Sequence, residues 1–321
     1  MRTQIQENLR NGNIMTVENN IKNCKVIATY FGMRRHYPHD CNGTIQVLKD
    51  SIQNEIDLDP GVDNLDVIIV NHDCGLEKGN DFLKSIDGKK TFCGNIKVIN
   101  RVWDDGKGVA GGSFDYAFQQ LQGEYDYWFF QEDDYKLVKP SYYINGVKIL
   151  ENNPNIGFVG YDTKNKESVL SLRAAQIIFY LPILMWGYRK YLKRYNRIIR
   201  ETVHLIKRNK VAYAGGMMGL TTNNNLKRVV DKCGRLPHPK IPNPQYTKTF
   251  KEIPKIYNDP RIFYYYLKTF LYYNRYMTWY FLYGVLGEID FTRIYYDVGL
   301  GVKSYPYDKK LIYSYKSKKY K

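Results

Sequence analysis

The 321-residue chain is 44% hydrophobic and 25% charged, a balance ordinary for a globular protein that argues against disorder and suits one large domain or two moderate ones. Its net charge of +16 is uneven: residues 1–160 sum to −5 and residues 161–321 to +21. The basic half suits a phosphate-rich ligand, nucleic acid or an anionic membrane surface, the plainer reading being a solvated basic face.

The leader MRTQIQENLRNGN is polar and has no apolar core segment, so no signal peptide is expected. Without secretion, the glycosylation sequon at Asn42-Gly43-Thr44 has no use. Cysteines at 24, 41, 74, 93 and 233 are odd in number and form no CxxC pair or Cys/His metal spacing, which predicts reduced thiols in a cytosolic compartment.

Lys25 to Tyr30 (KVIATY) reads as a first strand, broken by Phe31-Gly32 and a basic loop. A helix is predicted from Gly43 to about Ile56, where Ile45, Leu48, Ile52 and Ile56 fall near one face. Asp66 to Asn71 (DVIIVN) and Ile96 to Asn100 (IKVIN) read as the next strands, and Ser113 to Gln122 as a short helix capped by Ser113. The aromatic run Tyr127 to Phe130 is a fourth strand, Tyr142 to Glu151 a helix, and Ile156 to Gly160 a fifth strand. Strands alternating with helices predict an α/β fold with a doubly wound, mostly parallel sheet.

Beyond residue 160 the composition changes. Leu172 to Tyr188 is apolar but interrupted by Arg173, Gln176 and Pro182, and it falls short of the ~20 apolar residues a spanning helix needs. The basic stretch Arg189 to Lys210 suits an interfacial helix, or equally a helix packed over the core. Pro237 to Pro260 reads as an irregular loop and the aromatic Tyr264 to Tyr283 as a core helix. His238 lies between prolines and is expected to be structural, with a metal or phosphate contact as the minor option.

Chemistry concentrates where YDYWFFQEDD ends. A buried strand runs out into Glu132, Asp133 and Asp134, and ligands of open α/β sheets gather beyond the carboxyl ends of the strands. If the extended chain continues, Glu132 and Asp134 share one side and Asp133 faces the other. Two such carboxylates suit a hard cation, Mg²⁺ or Mn²⁺, which takes carboxylate, water and phosphate oxygens. Taken alone, the triplet could equally be a solvated turn.

Four segments together carry a family resemblance. KVIATYF opens the chain's ordered part, DVIIVNHD follows, NRVWDDGKGVAGGSFDYAF leads into Glu132-Asp133-Asp134, and AYAGGMMGL at 212–220 precedes GEIDFTRIYYDVGLG at 287–301. In this order they resemble the GT-A glycosyltransferases, the family-2-like nucleotide-sugar transferases in particular, over roughly residues 24–302.

The resemblance implies a polar leader (1–23), a nucleotide-sugar-binding half (24–160), an acceptor-binding half (161–302) with a helical insertion at about 170–210, and a basic Tyr/Lys tail (303–321). It implies donor contacts from Thr29, Tyr30, Asp73, Arg101, Lys107, Glu132 and Asp133. Mn²⁺ or Mg²⁺ would sit on Asp134 with support from Glu132, and Gly215, Gly216 and Met217 would lie on the acceptor side. Glu288 is the implied general base with Asp290 in reserve, capping of the following helix being their structural alternative.

The implied reaction moves a sugar from a nucleotide diphosphate to a hydroxyl of a glycan, lipid-linked or protein acceptor, with inversion, in the cytoplasm or peripherally on an anionic membrane. A nucleotidyltransferase on a related fold would share the metal carboxylates, but it favours a Gly-rich basic signature near the first strand, where ATYFGMRRHYP holds one glycine. A non-enzymatic nucleic-acid or membrane-surface binder would explain the basic half. It would leave the clustered carboxylates unexplained, since these repel phosphate, so nucleic acid is not the expected partner.

Overall fold

The computed structural model describes residues 21–29, 41–73, 77–102, 109–164, 204, 208, 211, 213–238, 287–306, 310–315 and 319–320. Strands β1 (Asn23–Thr29), β2 (Asp66–Asp73), β3 (Ile96–Val102) and β4 (Tyr127–Glu132) run parallel in the order β3-β2-β1-β4. They are joined by helices α1 (Cys41–Asp57), α2 (Glu77–Ile86) and α3 (Val109–Leu121). On the far side of β4 the sheet continues through β9 (Gly219–Thr222), β6 (Ile156–Gly160) and β10 (Gly301–Ser304), making seven strands. Only β9 runs against its neighbours; β10 pairs parallel with β6. The sheet is thus mostly parallel with one reversed strand.

The central strands are apolar on both faces because both are covered. Val26, Ala28, Ile68, Val70, Trp128 and Phe130 face one layer, which α3 fills with Phe114, Ala117 and Phe118. Helix α5 (Asn223–Cys233) and the helix over 287–297, α6, complete that layer with Leu226, Val229, Phe291 and Tyr295. On the other face, Ile27, Val67, Ile69 and Ile96 meet Leu48 and Ile52 of α1 and Leu83 and Ile86 of α2. Phe129 packs with Tyr142 and Tyr143 of α4 (Tyr142–Glu151). Lys25 is fully buried there, paired with Glu55 at 2.5 Å and lying over the Tyr142 ring.

The structure adds to these expectations and changes one. Helix α2 was not anticipated: its buried residues, Gly79, Leu83 and Ile86, are too few and too short a run to stand out in sequence. Ser113 does not cap α3; it is fully buried inside a helix that begins four residues earlier, at Val109. Gly111 lies inside this helix, and a side chain there would press on Met217 and His238, so glycine serves close approach. Part of the basic Tyr/Lys tail is ordered against the rest of the chain. Ile312–Ser314 (β11) pairs with both Tyr135–Leu137 (β5) and Lys319–Tyr320 (β12) in a small sheet, while Thr163–Lys164 (β7) meets Tyr213–Ala214 (β8).

The segments Leu172 to Tyr188, Tyr264 to Tyr283 and most of Arg189 to Lys210 lie outside the described residues, as does the loop beyond His238. No helix among the described residues is long and apolar enough to cross a membrane.

Candidate functional site

The reversed strand β9 decides where the site forms. Its first residue, Gly219, pairs with Phe130 on one side and Gly160 on the other, so the chain leading into β9 lies at the edge where β4 and β6 end. That chain is the 3₁₀ turn Gly215–Met217. Gly216 (φ 61°) and Met217 (φ 54°) are both left-handed, a conformation that costs a non-glycine residue on the order of 1–3 kcal/mol. Burial of Met217 offsets it: its sulfur packs against Gly111 of α3. A side chain at 216 would stand 3.2 Å from the Tyr135 ring.

Beyond Glu132 the chain does not stay extended. It turns at Asp133–Asp134 into β5, so the strict alternation expected of the three acids does not apply. The Asp133 N–H donates to Ala28 O at 3.2 Å, and its fully buried carboxylate accepts from the Thr29 hydroxyl at 2.7 Å. Thr29 and Asp133, both expected at the nucleotide, are joined to each other and tie the acidic turn to the end of β1. Asp134 is 5% exposed, and its carbonyl accepts from the Tyr315 N–H at 3.0 Å.

Tyr135 reports what gathers there. Burial first, then the charges of Asp134, Glu132, Asp162 and Glu288, push its phenol well above the ordinary value. Carboxylates from the end of β4, the segment after β6 and the helix over 287–297 thus lie near enough to act on one ring, and two of them meet at Gly216, whose N–H bonds Glu288 and where a side chain would stand 3.8 Å from the Glu132 carboxyl carbon. Asp162 escaped the sequence reading, although the signal was of the same kind: an acid just after a buried strand, IGFVGYD. Its carbonyl accepts from the Gly215 N–H at 2.7 Å, fastening the turn to β6.

Among the described residues no three His, Cys, Asp or Glu side chains close on a single point as an all-protein metal cage would. The donor set still suits Mg²⁺ or Mn²⁺, which is commonly held by one or two carboxylates plus waters and substrate phosphates. Glu132 and Asp134 are the pair that would hold it.

Glu288 and Asp290 do not precede a helix; they lie within the helical residues 287–297. The Glu288 carboxylate accepts from the Gly216 N–H at 2.9 Å, so the turn and α6 are fastened at the site itself. Asp290, two residues on and about 200° round the helix, lines a separate cleft of ≈ 260 Å³ with Cys233, Arg235, His238 and Arg293. Of the two acids, Glu288 faces the carboxylate cluster.

Arg101 ends up at the rim of β3, 8% exposed and near Asp115 of α3. Burial pushes the Asp115 carboxyl up; the Leu236 N–H at 2.8 Å, the Gln119 amide at 2.9 Å, and the charges of Arg235 and Arg101 pull against it. His238 belongs to this group as well: Arg235 reaches its Nε2 at 3.0 Å. Its expected structural role fits these contacts. Asp73 is the last residue of β2, whereas Tyr30 and Lys107 lie outside the described residues.

No protein-family model matches the chain, and neither does any curated protein. Solved structures align with parts of the chain, at low scores. A mannosyltransferase from Pyrobaculum calidifontis, solved with GDP-Man and Mn²⁺, is 13% identical over 67% of this chain and 47% of its own, with a TM-score of 0.38. This chain thus spans under half of that protein's length. Mouse xyloside xylosyltransferase 1 is 9% identical over 85% of this chain and 80% of its own, with a TM-score of 0.35. A 4-diphosphocytidyl-2C-methyl-D-erythritol synthase from Anaerococcus prevotii is 14% identical over 46% of this chain and 56% of its own, with a TM-score of 0.30. Likeness this low leaves the functional reading to the site.

Proposed function

We propose that the protein is a glycosyltransferase that moves a sugar from a nucleotide-diphosphate donor to an acceptor hydroxyl, with a divalent cation, by an inverting displacement. The observation that carries this reading is the meeting of acids around the turn Gly215–Met217 at the carboxyl edge of the sheet: the Gly216 N–H bonds the Glu288 carboxylate, a side chain at 216 would stand 3.8 Å from the Glu132 carboxyl carbon, and the Gly215 N–H bonds the Asp162 carbonyl. Packed like charges repel one another, and a divalent cation with a diphosphate would offset that repulsion. The order of the acidic motifs along the chain agrees with the GT-A resemblance.

In this reading Glu132 and Asp134 would hold Mn²⁺ or Mg²⁺, which would supply Lewis-acid stabilisation to the departing diphosphate. Thr29 and Asp133 brace the turn from below. Glu288 takes the acceptor's proton as the oxygen–C1 bond forms and the bond from C1 to the phosphate oxygen breaks. Its hydrogen bond from Gly216 fixes the carboxylate's direction. The turn Gly215–Met217 then lies on the acceptor side, while the acceptor is a glycan, a lipid-linked sugar or a protein.

The test is a thermal-shift screen of nucleotide sugars, GDP-mannose and UDP-glucose among them, with and without Mn²⁺. A ligand that binds only the folded state raises the melting temperature. A rise that needs both the nucleotide sugar and Mn²⁺, and that vanishes in Asp134→Ala, supports the reading. A metal-independent rise, or one retained in that variant, would overturn the metal assignment.

A further inference from the structure

The basic C-terminal segment reaches the acidic turn directly. Ile312–Ser314 pairs antiparallel with Tyr135–Leu137, Ser314 standing opposite Tyr135, and the Val138 N–H donates to Leu311 O at 2.9 Å. The ladder ends on the site: the Tyr315 N–H donates to the carbonyl of Asp134. Leu311 and Ile312 are buried in the same apolar cluster as Tyr135 and Tyr142, which anchors the segment. On the outer side Lys136 lies over the rings of both Tyr313 and Tyr315, at 5.4 and 5.6 Å.

Asp134 is therefore held from two directions. Thr29 and Ala28 of β1 fix Asp133 on the inner side, and Tyr315 fixes the Asp134 peptide on the outer side. A turn held at one end only would let the Asp134 carboxylate swing. Metal ligation demands a carboxylate kept within a few tenths of an ångström of its working position.

We propose that the C-terminal strand is a strap that positions the cation-binding turn, with the Tyr315 backbone N–H as its contact; as to the cation, this rests on the glycosyltransferase reading. The strap fixes the direction of the Asp134 carboxylate without touching the substrate. Donor affinity then depends on residues at the end of the chain, far from Asp134 in sequence.

The test compares Tyr315→Pro, which removes the N–H, with Tyr315→Ala, which removes the ring and keeps the N–H. Amide hydrogen exchange of the unliganded full-length protein is read first. Exchange at residues 133–135 should speed up by about tenfold in Tyr315→Pro, the effect of one lost backbone hydrogen bond. It should change by less than about threefold in Tyr315→Ala, with the amides of β1 to β3 unaffected in both. Equal exchange at 133–135 in wild type and Tyr315→Pro overturns the strap. If β1 to β3 also lose protection in Tyr315→Pro, that variant has lost its fold, and the wild type decides: the Tyr315 amide must gain protection together with residues 133–135 when Mn²⁺ and GDP are added. A gain confined to residues 133–135 overturns the proposal. A strap supported by exchange in a wild type that binds no Mn²⁺ with GDP leaves the positioning standing and removes the metal reading alone.

Discussion

The hydroxyl of Thr29 donates to the buried carboxylate of Asp133 at 2.7 Å, joining the end of the first strand to the acidic turn after the fourth. Thr29→Val keeps the shape and removes the donor. The buried carboxylate then loses a partner, at a cost of about 1–3 kcal/mol. Urea unfolding should show that loss as a lower midpoint with an unchanged slope; an unchanged midpoint would mean that the pair contributes nothing to stability.

Glu288→Gln retains an oxygen for the Gly216 N–H but no longer takes a proton. Donor binding, followed by calorimetry with Mn²⁺, should stay within about threefold of wild type. Transfer should fall by ~10²-fold or more, the usual contribution of a general base. Full transfer by this variant would remove Glu288 from the base's role.

The buried pair Lys25–Glu55 offers a test independent of function. Burial lowers the Lys25 pKa, and Glu55 pulls it back up. Lys25→Met leaves Glu55 buried and unpaired with its ammonium and should cost about 3–5 kcal/mol; the double variant Lys25→Met/Glu55→Leu should recover most of that loss. The sign with pH also follows. Because the folded pKa lies below the unfolded value, the lysine's penalty is present below the folded pKa and is relieved as pH rises toward the unfolded one. Thermal melts from neutral pH upward should show that gain in wild type and not in the double variant.

Gly219 sits in the reversed strand between β4 and β6, where a side chain would collide with the Phe158 ring and the Val159 carbonyl. Gly219→Ala should destabilise the protein by about 1–3 kcal/mol or more through overpacking. The loss would be read as a lower melting temperature, whereas Gly234→Ala, with open space around it and only a positive φ of 74° to pay for, should cost less.

The thiols should differ in reactivity. Cys24 is fully buried and Cys233 is exposed. Burial, followed by the charges of Asp59, Asp63, Glu55 and Asp66, pushes the Cys93 thiol up to about 11. Among these three described thiols, iodoacetamide labelling near pH 8, read by mass spectrometry, should modify Cys233 first, Cys93 slowly and Cys24 last. The Cys93 rate should climb about tenfold per pH unit up to its pKa, since only the thiolate reacts.

The parallel half was readable because its strands are buried on both faces and write themselves as apolar runs: KVIAT, DVIIV and YWFF needed no context. Helix α4, with Tyr142, Tyr143, Val147 and Leu150 falling on one helical face, was equally plain. Position in the sheet was not. Nothing local in GLTT says that it runs backwards between two strands distant in sequence. The acids were visible as residue types, but Asp133's inward turn depends on Thr29, and Asp162 counts only once β6 stands near β4. Tyr135 drew no attention because its importance lies entirely in its neighbours.

The reversed strand has a consequence for how the molecule assembles. Strands β1 to β4 follow one another within residues 23–132, so that half of the sheet can form from neighbouring βα units. The other half joins β6, which ends at Gly160, to β9, which starts at Gly219, and then to β10 beyond residue 300. Such distant pairings form late, because the chain between them must be closed first. Thr29, Asp133 and Asp134 sit on the early side of that seam, while Asp162, Gly216 and Glu288 arrive with the late side. The acidic cluster is thus expected to be complete only once the distant half has paired, and a chain stalled before that would hold a half sheet without Asp162, Gly216 and Glu288 in place.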